Sequence, residues 1–141
     1  MNADEKIAEV RKQLDPDGYV SFDVCPGWTD LVWKCHSKLL DVVPNYKLVQ
    51  VKEKFGGLCF YYTTTSTTDA DRDRAREIVR FYEKMSYETC DECGTTVDVS
   101  TGTLDGGKFG WVRTMCEPCR LQEILDHLET PKSWELTDAE E

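Results

Sequence analysis

The sequence predicts an α+β fold, with helices packed on a small antiparallel β-hairpin and a compact cysteine-bearing module at the C-terminal end. Three observations predict it. Apolar residues recur at helical spacing in three segments before residue 87. A segment rich in branched and aromatic residues is broken in its middle by Phe55-Gly56-Gly57. Four of the seven cysteines fall in two Cys-x-x-Cys pairs, both after residue 89.

Taken in order, residues 3–14 predict a short helix whose inner face is Ile7, Val10 and Leu14. Asp15-Pro16-Asp17-Gly18 ends it as a turn, and Tyr19 to Val24 predicts a short strand. Trp28 to Val43 predicts a second helix with Trp28, Leu31, Val32, Cys35 and Leu39 in one stripe, stopped by Pro44-Asn45. Residues 46–64 predict the hairpin. Strict alternation puts Lys47, Val49, Val51 and Glu53 on one face and Leu48, Gln50, Lys52 and Lys54 on the other. Thr68-x-x-Asp71 is an N-terminal capping pattern, so a third helix starts near residue 69 and runs to about Ser86. Beyond it, Thr95–Ser100 and Phe109–Met115 predict two strands about an Asp105-Gly106-Gly107 turn. A last helix over roughly 117–128 gathers Leu121, Ile124, Leu125 and Leu128 on one side. The expected organisation is a core over 1–87, a cysteine module over 88–128 packed on it, and an acidic tail over 129–141.

The chain of 141 residues carries a formal charge of −10. Residues 1–45 contribute −3, residues 46–86 contribute +2 and residues 87–141 contribute −9, so the acidity belongs to the last third. Such a charge disfavours duplex DNA and anionic lipid as general ligands. There is no apolar run long enough to cross a membrane, and the charged first residues do not resemble a secretory signal. An odd number of cysteines without such a signal points to a reducing compartment, the cytosol.

Cys90-Asp-Glu-Cys93-Gly94 and Cys116-Glu-Pro-Cys119 are 22 residues apart, with a predicted two-strand hairpin between them. Two such turns supply four soft thiolates to one ion, the preferred set for a closed structural zinc site. The expectation is one Zn2+ held by Cys90, Cys93, Cys116 and Cys119, in a treble clef if the second pair opens the last helix, or in a zinc ribbon. A redox dithiol is expected singly and not as two matched pairs, and an iron–sulfur cluster is the less favoured alternative for the same four thiolates. Four protein ligands leave no position for a catalytic water.

No other catalytic constellation is legible. The deaminase pattern of His-x-Glu with Pro-Cys-x-x-Cys fails, and His127 reads as a surface residue of the last helix. Cys35 and His36 are neighbours on a helix and point about 100° apart, which makes no nucleophile–base pair. The chain therefore reads as a binding protein and not an enzyme.

Two surfaces are candidates for binding. Glu117, Glu123 and Asp126 give the last helix an acidic side for a protein partner. Alternatively, Lys52, Lys54, Phe55 and Tyr61 of the hairpin, with a ridge of Arg72, Arg76, Arg80 and Lys84, suit single-stranded nucleic acid. Asp69, Asp73 and Glu77 stand three residues before the arginines, a spacing that also permits a self-neutralised helix face.

The stretch Val51-Lys-Glu-Lys-Phe-Gly-Gly-Leu-Cys-Phe-Tyr61 is similar to a Val-Lys-Glu-Lys-Phe-Gly-Gly-Leu-Arg-Phe-Tyr segment found in a family of small uncharacterised proteins of bacteria and their phages. Gly27-Trp28, Cys90-x-x-Cys93-Gly94 and Gly110-Trp111 fall in the matching order, so the resemblance spans about residues 27–119. Cys59 replaces the arginine, and Cys119 stands where the family often has histidine. The resemblance implies a phage or prophage origin and a hairpin with a zinc module; it implies no activity. Combined with the residue reading, the expected function is a zinc-stabilised accessory protein that binds a host or defence-system protein, with inhibition as the expected consequence.

Overall fold

A computed structural model describes residues 1–18, 21–65, 67–103 and 112–129. Part of the first expected strand (Tyr19, Val20), the Asp105-Gly106-Gly107 turn, Phe109, Gly110-Trp111 and the tail beyond residue 129 lie outside the described residues.

The fold is α+β. Its elements are α1 (Ala3–Arg11), β1 (Ser21–Phe22), a 3-10 turn (Pro26–Trp28), α2 (Thr29–Val42), β2 (Lys47–Lys54), β3 (Gly57–Thr63), α3 (Asp69–Ser86), β4 (Val99–Thr103), β5 (Val112–Cys116) and α4 (Glu117–Glu129). The first sheet has the order β1-β2-β3 and the second pairs β4 with β5.

Helix α1 is shorter than its apolar spacing predicts. Leu14 leaves the helix to form a parallel bridge with Leu48. The Leu48 amide donates to Gln13 O at 2.8 Å and the Asp15 amide to Leu48 O at 3.0 Å. Backbone pairing with β2 thus replaces the last helical turn. Helix α3 begins as its capping pattern predicts, with Thr68 Oγ1 accepting from the Asp71 amide at 3.1 Å.

The first sheet corrects three expectations. It is mixed, because β1 joins β2 in parallel, with Ser21 opposite Gln50 and Phe22 opposite Val51. The register of β2 against β3 also shifts between Leu48 and Gln50. One extra residue there reverses the alternation. Leu48 and Val51 therefore share the buried face, opposite Tyr62 and Phe60, while Lys47, Gln50, Lys52 and Lys54 share the other. The turn is also tighter than Phe55-Gly56-Gly57, because Gly57 already pairs with Lys54. Phe55 and Gly56 turn the chain, both at positive φ (52° and 85°).

The main core lies between the buried sheet face and the helices. Trp28 of the 3-10 turn and Val32, Cys35 and Leu39 of α2 meet Leu48, Val51 and Phe60 of the sheet and Ala75, Val79 and Tyr82 of α3. Helix α3 also covers the outer edge of β3, where Ser86 Oγ accepts from the Leu58 amide at 2.9 Å and Glu83 Oε2 from the Phe60 amide at 3.0 Å. Those amides would otherwise be an open edge for pairing with another chain.

Around the cysteines, the first expected strand is displaced. Residues 95–98 belong to the turn after Cys93, and β4 starts only at Val99, opposite Cys116. Asp98 at φ 53° makes that turn. Helix α4, Glu117–Glu129, forms close to its expected span. Of its apolar stripe only Ile124 packs towards the small core of Cys90, Met115 and Cys116. Leu121, Leu125 and Leu128 are 54%, 49% and 66% exposed.

Candidate metal centre

The four paired cysteines converge. Every pair of sulfurs among Cys90, Cys93, Cys116 and Cys119 lies within 4.8 Å, and Cys93 Sγ is 3.7 Å from Cys116 Sγ. Tetrahedral bonds of about 2.3 Å to one ion place its sulfurs about 3.8 Å apart, so the spacing fits a single tetrahedral metal ion. It is much too long for a disulfide, whose sulfurs sit at about 2.05 Å. Cys90 and Cys116 are buried and Cys93 is exposed.

Local structure explains the convergence. Cys90 and Cys93 stand on a tight turn closed by the Gly94 amide donating to Cys90 O at 3.0 Å, with Gly94 at φ 81°. Cys116 ends β5, and Cys119 lies on the first turn of α4. Burial alone pushes the Cys90 thiol up, but the amides of Cys93, Cys116 and Glu92 outweigh it and bring Cys90 down to about 7. Burial and the neighbouring sulfurs push Cys116 and Cys119 up. A bound cation reverses that, because it favours the thiolates.

The cysteine turn is bolted to the rest of the molecule. The Gly27 amide donates to Asp91 O at 2.8 Å, and Trp28 Nε1 donates to Thr89 O at 2.9 Å inside the core. On the other side, Thr114 Oγ1 donates to Gly56 O at 2.6 Å, tying the hairpin tip to β5. Sequence reasoning picked out Gly27-Trp28 and the glycine turn, but not what they touch.

It also missed the charges that frame the site. Asp91 is fully buried and takes a bidentate pair from Arg113, with Nε and Nη2 each 2.7 Å from a carboxylate oxygen. Arg113 also reaches Glu92 and Glu123 at 3.6 Å. Arg120 of α4 donates to the carbonyl oxygens of Ser100 at 2.7 Å and Thr103 at 3.1 Å, holding helix and hairpin together. No spacing rule marks an aspartate between two cysteines as an ion-pair partner for a strand arginine.

No protein-family model matches this chain, and no curated protein or solved structure matches it either.

The remaining cysteines are not part of the centre. Cys35 is wholly buried beside α3. Burial, then the charges of Asp91 and Glu53, push the Cys25 thiol up to about 12, which keeps it protonated. Cys59 lies on the outer face of β3. His36 is buried and hydrogen-bonded through Nδ1 to Tyr46 Oη at 2.6 Å, away from any cysteine pair. His127 lies exposed on α4, with Glu123 3.9 Å from its Nε2.

The expected binding residues fall in three places. On α4, Glu117 and Asp126 are exposed, whereas Glu123 is drawn to Arg113. On α3, Arg72 and Arg76 face Asp69 at 3.2 Å and Asp73 at 3.7 Å, whereas no ion pair within 4 Å engages Arg80 or Lys84 among the described residues. On the hairpin, Phe55 is 74% exposed at the tip, Tyr61 is 45% exposed, and Lys52 and Lys54 share the outer sheet face. No helix among the described residues is long and apolar enough to cross a membrane.

Proposed function

We propose that the four cysteines hold one structural Zn2+ and that this non-enzymatic protein, of phage or prophage origin and working in the host cytosol, uses the stiffened α4 to bind a host or defence-system protein. The single observation that carries the partner reading is the exposed row of Leu121, Leu125 and Leu128 on α4, with the acids Glu117 and Asp126 on the same helix. Such a surface fits a basic amphipathic segment: leucines supply buried area and the acids select for Lys and Arg. Glu123 is not counted in it, because its carboxylate serves Arg113.

The zinc reading is supported by the sulfur spacing and by an all-thiolate donor set. The order of cysteine turn, hairpin and helix carrying the last cysteine is that of a treble clef, and a zinc ribbon is the near alternative. With four protein ligands, the metal's work is to fix the geometry of β5 and α4.

Two measurements test the proposal. Elemental analysis of purified protein yields about one zinc per chain, and Cys93→Ser loses most of it. Photocrosslinking from α4 in host lysate treated with nuclease yields a discrete protein band. That band disappears with Leu125→Asp and weakens with Glu117→Gln plus Asp126→Asn. A band that survives Leu125→Asp unchanged overturns α4 as the binding surface.

A further inference from the structure

The outer face of the first sheet has no function in the reading above, and its composition is unusual for so acidic a chain. The register shift at Val49 brings Lys47, Lys52 and Lys54 to one face with Gln50. Tyr61 stands on that face opposite Gln50, and Cys59 opposite Lys52. None of the three lysines has an ion-pair partner within 4 Å among the described residues; Lys54 instead lies over the Phe55 ring, 5.8 Å from its centroid. The nearest acid in sequence, Glu53, points to the opposite face, and its Oε1 accepts from the Gly56 amide at 2.6 Å. Asp23, which follows β1, is an acid at the margin.

Helix α3 runs along the edge of β3 through Glu83 and Ser86, and its Arg80 and Arg76, one and two turns before Glu83, act electrostatically on Tyr62, which packs on the buried face. The lysine-bearing surface is therefore that of the sheet alone.

We propose that this face binds a single-stranded polynucleotide, the lysines following the phosphates and Tyr61 and Phe55 stacking on bases. Charge complementarity selects the polyanion, and exposed aromatic rings beside unpaired cations select unpaired bases. A duplex hides its bases and presents a denser charge to a chain of −10. The surface lies apart from α4, so it stands or falls independently of the protein-partner reading.

Fluorescence anisotropy of the full chain tests it, with labelled oligouridine and oligodeoxyuridine of about 12 nucleotides and a duplex of equal length. Both single strands give saturable binding that exceeds the duplex, and the tighter of the two identifies the sugar preferred. With about three phosphates neutralised, affinity falls about 40-fold between about 25 and about 150 mM salt. Tyr61→Ala weakens binding about 10-fold. Lys52→Glu with Lys54→Glu abolishes most of it, while Lys52→Gln with Lys54→Gln flattens the salt slope by about 1.4. Glu5→Gln, an exposed position on α1, changes nothing. Circular dichroism and zinc content confirm that each variant is folded. Absence of binding by folded wild-type protein at the lowest salt overturns the proposal. So does equal affinity for duplex, or indifference to Tyr61→Ala.

Discussion

Gly27 sits where two parts of the chain touch backbone to backbone. A Cβ there would overlap the Cys90 carbonyl oxygen and lie 2.7 Å from the Gly94 nitrogen. Both obstacles are main chain, so no side chain can swing aside. Gly27→Ala is expected to cost about 3 kcal/mol or more, read as a drop in the denaturant midpoint. His36 offers a second test. Burial depresses its pKa below the ordinary 6.5, with Glu9 opposing weakly. As pH falls below 6.5 the unfolded chain takes up a proton that the folded one resists, so stability declines. Melting temperature should therefore drop between about pH 7.5 and 5.5, and His36→Gln should lose most of that drop. Glu83, whose pKa burial raises, works in the opposite sense at the acid end, so the comparison with His36→Gln is the decisive one. The four cysteines were legible because their spacing is itself a chemical signature. The Asp91–Arg113 pair was not, since its meaning depends on a strand register that local pattern does not encode.

Elements were most legible where propensity, capping and apolar spacing agreed. Helix α3 has all three: Thr68 as cap, acids in its first turn, and Ala75, Val79 and Tyr82 inward. Thr68→Ala should cost about 1 kcal/mol, measured by chemical denaturation, because the Asp71 amide then loses its acceptor. Elements were misread where tertiary contacts overrode the local pattern. Leu14 forsakes α1 for Leu48, and a single extra residue near Val49 inverts half of β2. Helix α4 is the instructive case. Its leucine stripe is as regular as that of α2, yet of that stripe only Ile124 packs against the buried cluster. Periodicity reports that a helix has an apolar side, and it does not report what lies against that side. Leu121→Glu should thus be tolerated within about 0.5 kcal/mol in thermal melts, whereas Ile124→Glu should be destabilising by about 2 kcal/mol.

At the scale of the molecule, the four-cysteine module is tied to the rest of the chain at two places. Gly27 and Trp28 meet the Cys90 turn, and Gly56 meets Thr114 of β5. Chelation should accordingly reach beyond the C-terminal part. The indole of Trp28 donates to Thr89, one residue from Cys90, so metal removal should red-shift tryptophan emission, and Trp28→Phe should lose that component of the change. An unchanged spectrum with zinc fully removed would mean that the core holds Thr89 without the metal. Charge is polarised on the same plan. Residues 46–86 carry +2 and present lysines on the outer sheet face, whereas residues 87–141 carry −9. Counting residues by segment revealed that polarity, and the sheet register showed which face carries its basic side.

The bond between Trp28 and Thr89 spans 61 residues of chain. During synthesis at about 5–20 residues per second, the indole waits roughly 3–12 s after its own incorporation before its acceptor is made. Over that interval the Gly27 amide also lacks its acceptor, the Asp91 carbonyl oxygen, and the four thiols exist together only once Cys119 has been added.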